Sequence, residues 1–105
     1  MELEKYKKLF MQMIDDFGYK LNLDSLKGID YFLPIIQEIR KDSSVVIIKF
    51  DGEREENIYT VLASGKNLGN EEAIRLDTSD LEGGLAYVCV EYAKIAWGWE
   101  ETTSI

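Results

Sequence analysis

Carboxylates are the only chemically capable side chains that this sequence supplies in quantity. Glu55-Glu56, Glu71-Glu72, Asp15-Asp16 and Glu100-Glu101 are adjacent pairs, and two carboxyls held together divide acid and base roles if burial or crowding separates their pKa values. Sequence neighbours point in different directions, so each pair reads more simply as solvated surface charge. Asp51, Glu53 and Glu55 stand at alternate positions, as the first ligands of a calcium loop do. Such a loop needs Gly at its sixth position and Glu at its twelfth, where this chain has Glu56 and Leu62, so the metal reading fails. Ser64-Gly65-Lys66-Asn67-Leu68-Gly69 holds a phosphate loop's residue types in the wrong order and reads as a flexible connection.

Two absences narrow the chemistry further. The chain has no His, hence no imidazole base, no Ser/His or Cys/His nucleophile pair and no His-containing zinc site. Its one cysteine, Cys89, forms no intrachain disulfide and cannot supply a cysteine-rich metal site, which favours a reducing compartment. The expectation is a protein that is not an enzyme, with no catalytic residue, no metal and no cofactor.

Charge is distributed unevenly. The 105 residues carry 20 acids against 12 bases, for a net charge of −8. Residues 1–49 hold eight of each, whereas residues 50–105 hold twelve acids and four bases, so the whole excess lies in the second half. That balance opposes direct nucleic-acid binding, which depends on neutralising phosphates. It suits a negative surface that meets a positive protein, where complementary charge speeds encounter and fixes orientation. Charges interrupt the N-terminal apolar positions, so no signal peptide is expected, and no segment approaches the ~20 apolar residues of a membrane span. A soluble, cytoplasmic protein is expected.

The elements that must position these carboxylates follow from periodicity. Leu3, Tyr6, Phe10, Met13 and Phe17 lie on one stripe of a helix from about residue 2 to Phe17, with Lys7 on the other side and Gly18 as its stop. Tyr19 to Gly28 reads as a loop or short turn, and Asp30 to Arg40 as a second helix with Pro34 in or near its first turn. Val45 to Phe50 is apolar and β-branched enough for a buried strand. Asn57 to Ala63 alternates as a second strand, joined to the first through Asp51-Gly52 in a hairpin. Ala73 to Asp77 makes a third strand. Leu81, Leu85, Val88, Tyr92, Ile95 and Trp99 mark a final helix, with Ser79 and Glu82 as a capping box. Gly83 and Gly84 require either a late start to that helix or a close neighbour. Together these predict one α+β domain over residues 1–105: two N-terminal helices, a small antiparallel sheet of about three strands, and a long C-terminal helix packed on the sheet.

From Ser44 onward the chain resembles small acidic immunity proteins of bacterial contact-dependent growth inhibition, a class of polymorphic toxin system. The likeness lies in Phe50-Asp51-Gly52-Glu53-Arg54, Tyr59-Thr60-Val61, Ser64-Gly65, Arg75-x-Asp77 and the last helix. The resemblance implies a protein that neutralises the toxic C-terminal domain of a cognate effector, often a basic nuclease, by stoichiometric occlusion. Combined with the charge distribution, it makes Asp51, Glu53, Glu55 and Glu56 one expected toxin-binding cluster and Glu71, Glu72, Asp77, Asp80 and Glu82 another. Tyr59 and Trp97 are the candidate aromatic anchors. The rival reading is a phage-type acidic inhibitor that mimics nucleic acid.

Overall fold

The computed structural model describes residues 2–19, 28–70 and 73–101. Helix α1 (Leu3–Asp16) comes first, then a 3-10 turn (Ile29–Tyr31) and helix α2 (Leu33–Lys41). Strands β1 (Val45–Phe50) and β2 (Tyr59–Ser64) follow, then a second 3-10 turn (Lys66–Leu68), strand β3 (Ala73–Thr78) and helix α3 (Leu81–Ala96). The α+β expectation holds, with an antiparallel sheet in the order β1-β2-β3 and α3 packed against β2 and β3. Residues 20–27, in the expected Tyr19–Gly28 loop, and Glu71 and Glu72 lie outside the described residues. Among the described residues, no helix is long and apolar enough to cross a membrane.

Apolar stripes from three helices close over one face of the sheet. Phe10, Met13 and Ile14 of α1, Ile35 and Ile39 of α2, and Leu85, Val88 and Tyr92 of α3 are buried together with Val61, Ala63 and Ile74. The first stripe is rotated from its expected position: Leu9 and Ile14 join the core, while Phe17 is 40% exposed past the helix end. Lys7 is not on a solvated face either, because its Nζ lies 2.9 Å from the Asp80 carboxylate at the start of α3. The second helix divides into the 3-10 turn and α2, with Pro34 in the first turn of α2, where a missing N–H costs nothing.

Three other expectations give way to specific contacts. β1 is not a buried strand: it is an edge, and its outer face has no covering layer, so Val45 and Ile47 are about half exposed. Asp80, not Ser79, caps α3. Its Oδ1 accepts the Gly83 N–H at 3.0 Å, whereas the Ser79 hydroxyl accepts the Asn57 N–H at 2.8 Å. The segment after β2 is no loose connection, because Leu68 is buried in the core.

Gly83 and Gly84 resolve as sites of close approach inside the helix, which starts on time. A Cβ on Gly84 would stand 2.9 Å from Thr78 Cγ2 and 3.2 Å from Val61 Cγ2, and one on Gly83 would meet Leu3 Cβ at 2.9 Å. The missing side chains therefore let α3 sit directly on β2 and on α1. Gly84→Ala gains helix propensity of ~1 kcal/mol but overpacks the helix–sheet contact, at ~1–3 kcal/mol. A lower melting temperature is expected for Gly84→Ala, with no change for Gly52→Ala, whose added methyl meets nothing within 4 Å. A parent-like melt of Gly84→Ala would mean that α3 stands off the sheet.

Candidate protein-binding face

Side chains alternate across the sheet, so pairing β1, β2 and β3 in this register leaves Val45, Ile47, Lys49, Thr60, Leu62, Arg75 and Asp77 on the face away from the helices. The β1–β2 turn then folds a polar network over one end of that face. Asp51 organises it: Oδ1 accepts the Glu53 N–H at 3.0 Å, while Oδ2 lies 3.0 Å from Arg54 Nε and 3.2 Å from Lys49 Nζ. Arg54 reaches back over the sheet, where its Nη1 donates to the Asn57 carbonyl (3.2 Å) and to Thr60 Oγ1 (3.1 Å). Thr60 donates in turn to Asp77 Oδ1 at 2.6 Å, and Arg75 Nη2 lies 3.4 Å from the same oxygen. Asn57 takes the left-handed conformation (φ 51) that the turn requires and that Asn tolerates.

Electrostatics follow from these bonds. The Glu53 N–H and Lys49 hold the Asp51 carboxyl below the usual carboxylate range. The Thr60 hydroxyl does the same for Asp77, with help from Arg75 and Arg54. Burial raises the Asp80 pKa, but the Gly83 N–H and Lys7 outweigh it and the net direction is down. Three of the expected binding acids are thus held ionised and already paired with cations within the fold. Glu53, Glu55 and Glu56 are exposed at the turn and form no ion pair among the described residues, so the free negative charge is concentrated there.

The two clusters expected from sequence are rearranged. Asp77 joins Asp51 through Arg54 instead of standing with Asp80 and Glu82, which belong to the first turn of α3. Tyr59 lies beside the turn, its ring centroid 5.0 Å from that of Phe50 in an edge-to-face contact. Trp97 is at the opposite end of α3, donating from Nε1 to Asp42 Oδ2 at 2.7 Å. The sequence reading missed Val45, Ile47 and Phe50, which are 52%, 50% and 62% exposed. The Asp51 N–H donates to the Ile58 carbonyl at 2.8 Å. By antiparallel alternation, the backbone groups of Val46, Ile48 and Phe50 therefore point outward, along the unpaired edge.

Among the described residues, no group of three or more Cys, Asp or Glu is placed to hold a metal. Burial pushes the Cys89 thiol up to about 12, which leaves it protonated and unreactive at neutral pH. Comparison with protein-family models, curated proteins and solved structures finds no match for this chain. What the hairpin offers is an apolar strand edge, an aromatic pair and an acidic tip on a scaffold tied down by Arg54.

The lowered carboxyls set the acid limb of stability. A carboxyl whose folded pKa is depressed contributes fully above its unfolded value of about 4, and the contribution is lost as pH falls through the folded value. Asp80→Asn keeps a capping side chain but loses the Lys7 pair. It should melt lower than the parent at pH 7 and lose less of its stability on acidification from about pH 5 to pH 2. Thermal melts across that range check this; equal pH slopes would remove Asp80 from the acid transition.

Proposed function

We propose that this chain is an immunity protein, a stoichiometric inhibitor that binds the toxic C-terminal domain of a contact-dependent growth inhibition effector through its β1–β2 hairpin. The observation that carries the reading is the union, on one hairpin, of exposed Val45, Ile47 and Phe50 with the unpaired acids Glu53, Glu55 and Glu56. Val45 and Ile47 stand on the outer face of the sheet and Phe50, with Tyr59, on the other face beside the acidic turn, so the edge of β1 presents apolar and aromatic side chains with charge at one end. In protein interfaces buried aromatics supply most of the affinity and rim charges mainly set the rate of encounter. The Phe50–Arg54 segment is also one of the stretches that carry the resemblance to immunity proteins. A cationic nuclease domain is the partner that such a surface suits, and the cytoplasm is where that nuclease would be met. A nucleic-acid mimic is less well supported, because Lys49, Arg54 and Arg75 interrupt the negative face that phosphate mimicry needs.

The reading expects an exported protein with a toxic C-terminal domain to be encoded immediately upstream of this chain, and the test uses that domain. A 1:1 complex is expected, and inhibitor at about a tenth of the toxin concentration should remove about a tenth of its activity. In stopped-flow measurements, reversing Glu55 and Glu56 to Lys should slow association at low salt, and the effect should fade as the Debye length shrinks from ~10 Å at 0.1 M to ~3 Å at 1 M. Reversing Asp15 and Asp16 should do much less. Phe50→Ala should speed dissociation by about tenfold. Equal slowing by both reversals together with unchanged dissociation of Phe50→Ala would take the hairpin out of the interface. Complete loss of toxin activity at the one-tenth ratio would show turnover and end the inhibitor reading.

A further inference from the structure

Two helices of this chain end on the same triplet, aromatic-Gly-aromatic: Phe17-Gly18-Tyr19 after α1 and Trp97-Gly98-Trp99 after α3. Both glycines take left-handed conformations, φ 81 and φ 67, so each chain reverses and turns its flanking rings back towards the helix end. At α1, the Gly18 N–H bonds the Asp15 carbonyl and the Tyr19 N–H bonds the Ile14 carbonyl; at α3, the Trp99 N–H returns to Ala93. The two ends are tied together by Trp99 Nε1, which donates to Asp16 Oδ2 at 2.9 Å, and by the Phe17 and Trp97 rings, edge to face at 5.8 Å.

Between them lies a cavity of about 190 Å³, open to solvent and lined by Phe17, Tyr19, Trp97 and, from α2, Glu38. That volume is below the ~300–1,000 Å³ of pockets for whole small molecules and suits a single side chain. Its electrostatics select a cation. Two helix C-termini, each equivalent to roughly half a negative charge, converge on it; α1 has no basic residue in its last turn to offset Asp15 and Asp16, and Lys94 in the last turn of α3 is paired with Glu91 and Glu101. The Trp97 indole donates to the Asp42 carboxylate at 2.7 Å, which pushes electron density onto the ring and strengthens its attraction for a cation. Glu38 lies close enough to Tyr19 to help raise the pKa of its phenol, after burial, and its ion-pair partner is the exposed Lys41, at 3.1 Å. A surface pair of that kind exchanges at little cost.

We propose that Phe17, Tyr19, Trp97 and Glu38 form a receptor for one arginine side chain presented by a partner protein. Arginine fits better than lysine, because its planar guanidinium stacks on aromatic faces and offers a fork of N–H donors to a carboxylate. The cage lies at the end of the fold away from the β1–β2 turn and would add a second anchor point. That the arginine belongs to the toxin rests on the reading above, whereas the cage itself does not.

The experiment separates the two. The full chain, ¹⁵N-labelled, is titrated with N-acetyl-arginine amide and, in parallel, with N-acetyl-citrulline amide, its uncharged near-isostere, while the indole N–H signals of Trp97 and Trp99 are followed. Arginine amide should move the Trp97 signal saturably and more than that of Trp99, and citrulline amide should leave both in place. Glu38→Gln, at a side chain 40% exposed and so free of folding demands, should weaken arginine binding by about tenfold. Equal responses to the two amides, an unmoved Trp97 signal, or undiminished binding by Glu38→Gln would each overturn the cage. Arginine capture by a chain that fails to bind the toxin domain would uphold the cage and count against the toxin alone.

Discussion

The phenolic hydroxyl of Tyr92 lies within the fully buried part of the core, and the chain around it is arranged to satisfy it. It donates to Asp42 Oδ2 at 2.9 Å and lies 2.8 Å from Ser44 Oγ. An unpartnered hydroxyl at that depth would cost ~1–3 kcal/mol, so the turn between α2 and β1 must pass beneath α3 at this point. Ser43 accordingly takes a left-handed conformation (φ 65). Gly65 lies so close to Ser44 that a Cβ there would overlap the Ser44 hydroxyl, which seats β2 beside the first residue of β1 with Val45 opposite Ser64. The hairpin is built outward from that fixed corner, and the orientation of its distant turn depends on it.

Helices and strands were legible in the sequence because their periods are local properties; what covers each face is not local. VVIIKF is apolar on both faces, a pattern that suits a central strand, but only the strand order decides that β1 has a neighbour on one side. The cap of α3 illustrates a competition between equals. Ser79 and Glu82 have capping-box spacing, yet the Ser79 hydroxyl is engaged by Asn57 from the far end of the hairpin, and Asp80 with Gly83 takes the position. Charge totals likewise predicted an acidic second half but not that Asp51 and Asp77, far apart in sequence, share Arg54. Of the two candidate aromatic anchors, Trp97 donates to Asp42, a partner that could be found only in three dimensions.

The Arg54 network makes a modest contribution to stability and a larger one to shape. Exposed ion pairs are individually weak, but a guanidinium that bridges the turn, β2 and the carboxylate of β3 leaves the hairpin few alternative orientations. Glu53, Glu55 and Glu56 are then carried on a backbone that this network fixes, while their own exposed side chains stay free to rotate. Acids within the network and acids at the tip thus serve different ends, although composition alone counts them together.

The bare edge of β1 has a consequence for how much of this chain a cell can hold. Six residues with one charge, Lys49, no proline and outward-facing backbone groups form a template that other extended chains, including further copies of this one, can extend. Association of that kind rises with concentration, while a partner seated on the edge suppresses it. An open strand edge therefore ties solubility to dosage: the more copies of this chain present with β1 uncovered, the more they are exposed to aggregation.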